Sequence, residues 1–141
     1  MAPRVDFYVL TSSAERARLL YACRLVEKVY LLEQRVYVHT GSAAEAATFD
    51  DLLWTFADRS FVPHCLAPNV AAAAPVTVGF ESPAPADLLV NLGVAAPDFC
   101  DRYPRVAEVV DAEPGRREAG RRRFAWYRDR GLRPETHNVP A

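Results

Sequence analysis

The sequence contains almost no lysine, few glycines and no long hydrophobic run. A membrane-spanning helix needs about eighteen or more consecutive apolar residues, and no stretch of the chain approaches that length. The opening residues, MAPRVDFYVL, also lack the charged start, apolar run and cleavage site of a secretion signal. We therefore expect a cytoplasmic protein with no membrane attachment.

Cysteine is scarce as well. The chain has three cysteines, Cys23, Cys65 and Cys100, which are far apart and show no Cys-x-x-Cys spacing. An odd number at such spacing predicts neither a disulfide framework nor a zinc site. We expect reduced thiols, mostly in the core, and we predict no bound metal and no cofactor.

The six glycines form neither a Gly-x-Gly-x-x-Gly motif nor a P-loop. The first predicted strand-to-helix turn, Leu10 to Ser13, carries side chains where close approach of a pyrophosphate would require glycine. The sequence therefore argues against a nucleotide-binding α/β enzyme, although it leaves that class as an alternative.

No constellation for catalysis stands out either. His64 and Cys65 are adjacent, and neighbours on an extended chain point to opposite sides, so the imidazole cannot readily take the thiol proton. Asp50 and Asp51 diverge by about 100° on a helix, which favours a solvated helix face over a carboxylate pair. His137 lies in a polar tail, and we interpret it as incidental. We predict that the chain is not an enzyme.

Strand and helix patterns alternate along the 141 residues. Strands are predicted at 5–10, 35–40, 75–80, 88–92 and 106–110, and helices at 12–34, from 41 onward, at 97–103 and at 116–130. Parallel neighbours need helical crossovers, so this alternation predicts an α/β, Rossmann-like fold: a mostly parallel sheet with helices on both faces. We expect residues 1–141 to form one domain. The segment 58–68 is predicted as a loop or broken strand.

Two capping boxes mark predicted helix starts. Ser12 precedes Glu15 by three residues, and Ser42 precedes Glu45 by the same interval. Gly131 follows the last predicted helix and suits a C-terminal cap.

The segment from Trp54 to His64 concentrates apolar groups at a helix end and in the loop after it. Its candidate residues are Trp54, Phe61, Val62, Pro63 and His64. One interpretation is that they close the core. The other is an exposed patch for a partner, because Pro63 cannot donate to a central strand and aromatic groups serve as interface anchors.

The last predicted helix carries a second signal. Residues 116–133 hold eight arginines against Glu118 and Asp129. One helical face is formed by Arg117, Arg121, Phe124 and Arg128, which are spaced by four, three and four. A peptide with several carboxylates and an apolar or aromatic C-terminal end would complement this face. Nucleic acid is the alternative, although a net charge of −1 gives it a weak electrostatic footprint.

Several segments together resemble the chi subunit family of bacterial DNA polymerase III. They keep their order along nearly the whole chain: VDFYVL, RVYVHT, FDDLLWTFADRSFVPHCLA, PVTVGF, DLLVNLG, FCDRYPRVAEVVD and RRRFAWYRDRGL. The most specific combination is Leu53-Trp54 followed by Ser60-Phe61-Val62-Pro63-His64. The chain departs from the family at Leu32-Glu33-Gln34, where a glycine is usual, and at Ala125, which is usually basic.

The resemblance implies a non-catalytic adaptor in DNA replication, with a Rossmann-like fold that binds no nucleotide. Such proteins link the psi subunit of the clamp-loader complex to the acidic C-terminal tail of single-stranded DNA-binding protein (SSB), so contact with DNA is only indirect. By resemblance, Arg117, Arg121 and Phe124 bind the tail, and Arg128 compensates for Ala125. Trp54 and Phe61, with Val62, Pro63 and His64, match the surface that holds psi or, in some members, an XPD-like helicase. A direct single-strand-binding module is a further alternative.

Overall fold

The structure is a computed structural model and describes residues 2–57, 62–66, 74–81 and 84–139. Within these ranges the chain forms one seven-stranded sheet with the order β3-β4-β2-β5-β6-β1-β7, and all six strand pairs are parallel. The strands are β1 (Arg4–Leu10), β2 (Val36–His39), β3 (His64–Leu66), β4 (Val76–Gly79), β5 (Leu88–Asn91), β6 (Arg105–Val110) and β7 (Glu135–Val139). The α/β, Rossmann-like prediction is confirmed.

Three α-helices cover the sheet: α1 (Glu15–Leu31), α2 (Ala43–Thr55) and α3 (Pro114–Asp129). Helices α1 and α2 contribute Val26 and Phe49 to one buried cluster, whereas α3 contributes Tyr127 to a second cluster. The helices therefore lie on both faces, as predicted. A 3₁₀ turn, Cys100–Arg102, replaces the short helix predicted at 97–103. No helix among the described ranges is long and apolar enough to cross a bilayer.

The apolar runs formed strands as predicted, and all five lie inside the sheet. Both edge strands are less apolar. The segment 58–68 contains β3, directly after Pro63, which agrees with the edge position inferred from that proline. The C-terminal segment, predicted as a polar tail, forms β7 and pairs with β1. An edge strand exposes polar side chains, so β7 shows no alternation of apolar residues.

The two predicted capping boxes differ in outcome. At α2 the prediction is confirmed, because Ser42 Oγ accepts from the Glu45 amide at 3.1 Å and the Glu45 carboxylate accepts from the Gly41 amide at 2.8 Å. At α1 it is wrong: Ala14 is the N-cap and no side chain caps the helix. Ser12 instead accepts from the Ala14 amide at 3.1 Å in the loop before the helix.

Two residues adopt a positive φ at helix ends. Gly131 has φ +84° after α3, as its predicted capping role requires. Glu33 has φ +62° after α1, which ends at Leu31, before the predicted end at 34. A side chain in this left-handed region is strained, which explains why a glycine would be expected in the turn at Leu32-Glu33-Gln34.

Candidate functional site

Helix α3 is attached to the sheet by a buried polar network centred on Glu108 of β6. Its Oε1 accepts from Arg123 Nε at 2.8 Å, and its Oε2 accepts from Tyr127 Oη at 2.7 Å and Asn91 Nδ2 at 2.9 Å. The Glu108 side chain is fully buried, and Arg123 is 6% exposed. Burial, reinforced by the charge of Glu108, raises the pKa of Tyr127, so its hydroxyl stays protonated and donates. These bonds fix the rotation of α3 about its axis.

Gly120 brings α3 close to the sheet. A Cβ at this position would lie 3.0 and 3.1 Å from the two Cγ methyl groups of Val110 on β6. Those distances are shorter than ordinary van der Waals contact, so only glycine permits this separation. The close approach defines one wall of the cavity beside the helix.

A cavity of about 220 Å³, here called the α3 pocket, lies between α3 and the β1–β7 end of the sheet. It is lined by Phe7, Val9, Val110, Arg117, Gly120, Arg121, Phe124, Thr136 and Asn138. The rings of Phe7 and Phe124 are 5.2 Å apart, so the pocket has aromatic walls. Three of the four predicted tail-binding residues meet here: Arg117, Arg121 and Phe124.

The rim of the α3 pocket is positively charged. The side chain of Arg121 is 72% exposed. It approaches Glu118 Oε2 at 3.5 Å, and this solvent-exposed pair contributes little. Arg117 lines the same cavity one turn earlier on the helix. Two guanidinium groups beside an apolar cavity suit a ligand with an apolar end and a carboxylate.

Arg128, the fourth predicted residue, does not line the pocket. Its side chain is 64% exposed and approaches Asp129 Oδ1 at 3.5 Å. Arg128 lies on the same helical stripe as Arg121 and Phe124, as its spacing predicted, but it is too far along α3 to reach the pocket. Thr136 and Asn138 line the pocket although the sequence analysis did not select them, and no apolar pattern in that segment could have done so.

A second surface surrounds Trp54, which lies in the last turn of α2 and is 43% exposed. Leu66 on β3 is 37% exposed and lies on the same strand face as His64, since side chains alternate along a strand. Together with the half-buried Pro63, these residues form the Trp54 surface. Sequence analysis missed Leu66. Phe61, predicted as an anchor of this surface, lies outside the described residues.

Two predicted contact residues of this surface are buried instead. Val62 is 0% exposed, and the side chain of His64 is also 0% exposed. His64 packs beneath Trp54 with 4.0 Å between ring centroids, and its Nε2 lies 3.2 Å from Asp50 Oδ1. The interpretation of Asp50 as part of a solvated face is therefore wrong, and His64 supports the Trp54 surface from below.

The carboxyl edge of the sheet, where Rossmann-like folds bind ligands, holds a larger cavity of about 560 Å³ between α1 and α2. Its inner wall includes Arg18, which donates to the carbonyls of Val109 at 3.1 Å and Leu92 at 2.9 Å. Burial lowers the pKa of this guanidinium. At the start of α2, the Glu45 carboxylate and Ser42 Oγ already accept from two of the amides that could meet a phosphate, those of Gly41 and Glu45.

A cluster with metal-ligand chemistry lies between β1 and β7. Asp6, Glu135 and His137 bring one ligand atom each within 4.8 Å of one another. His137 Nε2 is 2.8 Å from Asp6 Oδ1, and Arg4 lies 3.2 Å from Asp6 and 3.6 Å from Glu135. Arg4 supplies the positive charge that the carboxylates need, so an ion-pair network explains the cluster. The view of His137 as incidental is wrong, because it attaches β7 to β1.

Comparisons with known proteins show the family to which the chain belongs. Residues 2–135 match the protein family described as "DNA polymerase III chi subunit, HolC". The chain is 42% identical over 139 residues to the DNA polymerase III subunit chi of Pseudomonas aeruginosa, with 97% of both chains covered. It is 27% identical to the Haemophilus influenzae protein of the same name, with 99% of both chains covered, and 27% identical to that of Escherichia coli, with 81% and 80% covered. The chain belongs to the DNA polymerase III chi subunit family.

Proposed function

We propose that the chain is a non-catalytic adaptor of the DNA polymerase III holoenzyme, forming one chi-like domain and acting in the cytoplasm. One surface, the α3 pocket, takes the acidic, phenylalanine-terminated tail of SSB. The other, the Trp54 surface, takes the psi subunit of the clamp-loader complex. The relatives' names support an accessory role in replication.

The observation that carries the proposal is the α3 pocket itself. Its aromatic walls suit a terminal phenylalanine ring, while Arg117 and Arg121 at its rim suit the terminal carboxylate and the acidic residues before it. A nucleic acid also attracts arginine. However, the Phe7 and Phe124 rings, which contact each other at 5.2 Å between centroids, form a continuous aromatic wall of the cavity, and such a wall favours one inserted apolar side chain over an extended phosphate backbone.

The placement of the two surfaces supports a bridging role. The Trp54 surface borders β3 at one edge of the sheet, and the α3 pocket borders β7 at the other. Six steps between strands at about 4.8 Å separate these edges by about 29 Å. The surfaces also belong to helices on opposite faces, so two partners can be held without contact between them.

An enzyme of the nucleotide-binding class remains the runner-up on fold alone. Two amides at the start of α2, those of Gly41 and Glu45, are bonded to side chains. At the start of α3, the Glu113 carboxylate accepts from the amides of Gly115 and Arg116. Those hydrogen bonds also lower the pKa of Glu113. Such helix starts favour the adaptor over a phosphate-binding enzyme.

Titration of a labelled acidic peptide ending in phenylalanine tests the proposal. We expect saturable binding that weakens with added salt, because the screening length falls from about 30 Å at 0.01 M to about 8 Å at 0.15 M. The same peptide without its last residue should bind at least about tenfold more weakly, a loss of about 1.4 kcal/mol. Fluorescence anisotropy measures both. Equal binding of the two peptides would contradict a pocket for the terminal ring.

The second surface is tested by Trp54→Ala. We expect binding of psi to weaken by at least about 1 kcal/mol. The free energy of unfolding should also fall, because the ring is more than half buried and packs on His64, so a denaturation curve must first show that the variant is folded. Thr55→Ala, an exposed neighbour on α2, is the matched control, and Phe61→Ala extends the test. Co-purification and calorimetry measure the affinity of each variant for psi. If psi does not bind the wild-type protein, the same measurements are made with an XPD-like helicase. Unchanged affinity for both partners would place the interface elsewhere.

A further inference from the structure

The side chain beneath Trp54 has an unusual set of hydrogen-bond partners. His64 Nδ1 lies 2.6 Å from the Val62 carbonyl oxygen, and Nε2 lies 3.1 Å from the Asp50 carbonyl oxygen and 3.2 Å from Asp50 Oδ1. Among the described residues, both ring nitrogens therefore face oxygen atoms. A neutral imidazole donates from one nitrogen only, so the second contact requires one additional proton.

That proton lies between Asp50 and His64, on either Nε2 or the carboxyl group. If it is lost, the lone pair of Nε2 faces a carboxylate and a carbonyl oxygen, and the contact becomes repulsive. The side chain of His64 is 0% exposed, so water cannot replace the missing bond without a rearrangement. The Trp54 ring, only 4.0 Å from the imidazole, must then shift as well.

The described elements around the ring, α2, β3 and β4, offer few other charges. On α2 the carboxyl groups are Asp50 and the exposed Asp51, and burial raises the pKa of Asp50 while His64 lowers it. On β3 the neighbour Cys65 points to the other face. On β4 the residue paired with His64 is Val76, which is apolar. Within the described part of the chain, Asp50 and His64 are thus the two groups beside Trp54 that share a proton.

We propose that the proton shared by Asp50 and His64 fixes the Trp54 ring, so that the Trp54 surface is ordered when this proton is bound and loosens as the pH rises. His64 is a positioning residue that acts through Trp54 and does not contact the partner itself. The effect on docking rests on the function proposed above, whereas the effect on the ring does not.

Indole fluorescence tests the proposal without any partner. Trp126 is the other tryptophan, so Trp126→Phe leaves Trp54 as the only reporter. A protonated imidazole in contact with an indole quenches its emission, so we expect emission to rise with pH in a one-proton transition. Asp50→Asn, whose amide can donate to Nε2, should move the transition to lower pH or abolish it. Asp51→Asn, which removes the same charge one position along the helix, should leave it in place.

In the Trp126→Phe protein, His64→Gln should abolish the fluorescence transition. If the His64→Gln variant does not fold, Asp50→Asn alone provides the test. A transition that persists in His64→Gln, or one that Asp51→Asn shifts as much as Asp50→Asn, would overturn the proposal. So would constant emission in the Trp126→Phe protein. Psi binding followed over the same pH range separates the two claims: a fluorescence transition without any psi binding would contradict the proposed partner and leave the positioning role intact.

Discussion

Replacing Glu108 with glutamine should lower the free energy of unfolding by about 3–5 kcal/mol, because it leaves a buried guanidinium without its counterion. Arg123 is 6% exposed and bonds to Glu108 at 2.8 Å. The NH2 group of the new amide would also have to face either Arg123 Nε or the pair Tyr127 Oη and Asn91 Nδ2, all of which donate to the carboxylate at present. Since whole domains are stable by only about 5–15 kcal/mol, this single change removes a large share of the stability.

Chemical denaturation followed by circular dichroism measures the change. Glu118→Gln is the matched control, because Glu118 also approaches an arginine, Arg121, but both side chains are largely exposed. Exposed pairs contribute about 0–1 kcal/mol, so the control should unfold close to wild type. Similar midpoints for Glu108→Gln and wild type would show that the network does not hold α3 against the sheet.

The sequence predicted the inner strands because burial on both faces demands continuous apolar runs such as VDFYVL. It did not predict β7, because an edge strand can be polar and its pairing with β1 depends on contacts more than a hundred residues apart in the chain. The sequence also did not predict the buried role of Glu108, which lies in the apolar run VAEVV. A carboxylate is explained there by Arg123 and Tyr127, which donate to it from α3.

The sequence likewise predicted part of the candidate site and missed the rest. Helical spacing placed Arg117, Arg121 and Phe124 on one stripe, and the structure confirms that all three line one cavity. Spacing within a helix cannot say what the helix packs against, so the wall formed by Phe7 and Asn138 needed the fold. Around Trp54, the sequence could not separate exposed from buried neighbours, because His64 is hidden only by the packing of β3 against α2.

Arg121→Ala should weaken binding of the acidic, phenylalanine-terminated peptide by about 1.5–3 kcal/mol, or roughly ten- to a hundredfold. Arg121 lies one turn after Arg117 and one turn before Phe124, so its guanidinium can meet the terminal carboxylate of a phenylalanine whose ring enters the α3 pocket. The side chain is 72% exposed and its pairing with Glu118 is long, at 3.5 Å, so folding should barely change.

Arg122→Ala separates this specific contact from the general attraction of a basic helix. Arg122 is the next residue, is 77% exposed, approaches the same Glu118, at 4.0 Å, and does not line the pocket, so its loss removes the same charge without removing a pocket residue. Peptide titrations of both variants at two salt concentrations give the comparison. If the guanidinium of Arg121 binds the carboxylate, Arg121→Ala weakens binding much more than Arg122→Ala, and the difference persists at high salt, where long-range attraction is screened. Equal losses that vanish together with added salt would mean that the helix attracts the tail only through its net charge, and that the terminal residue binds elsewhere on the chain.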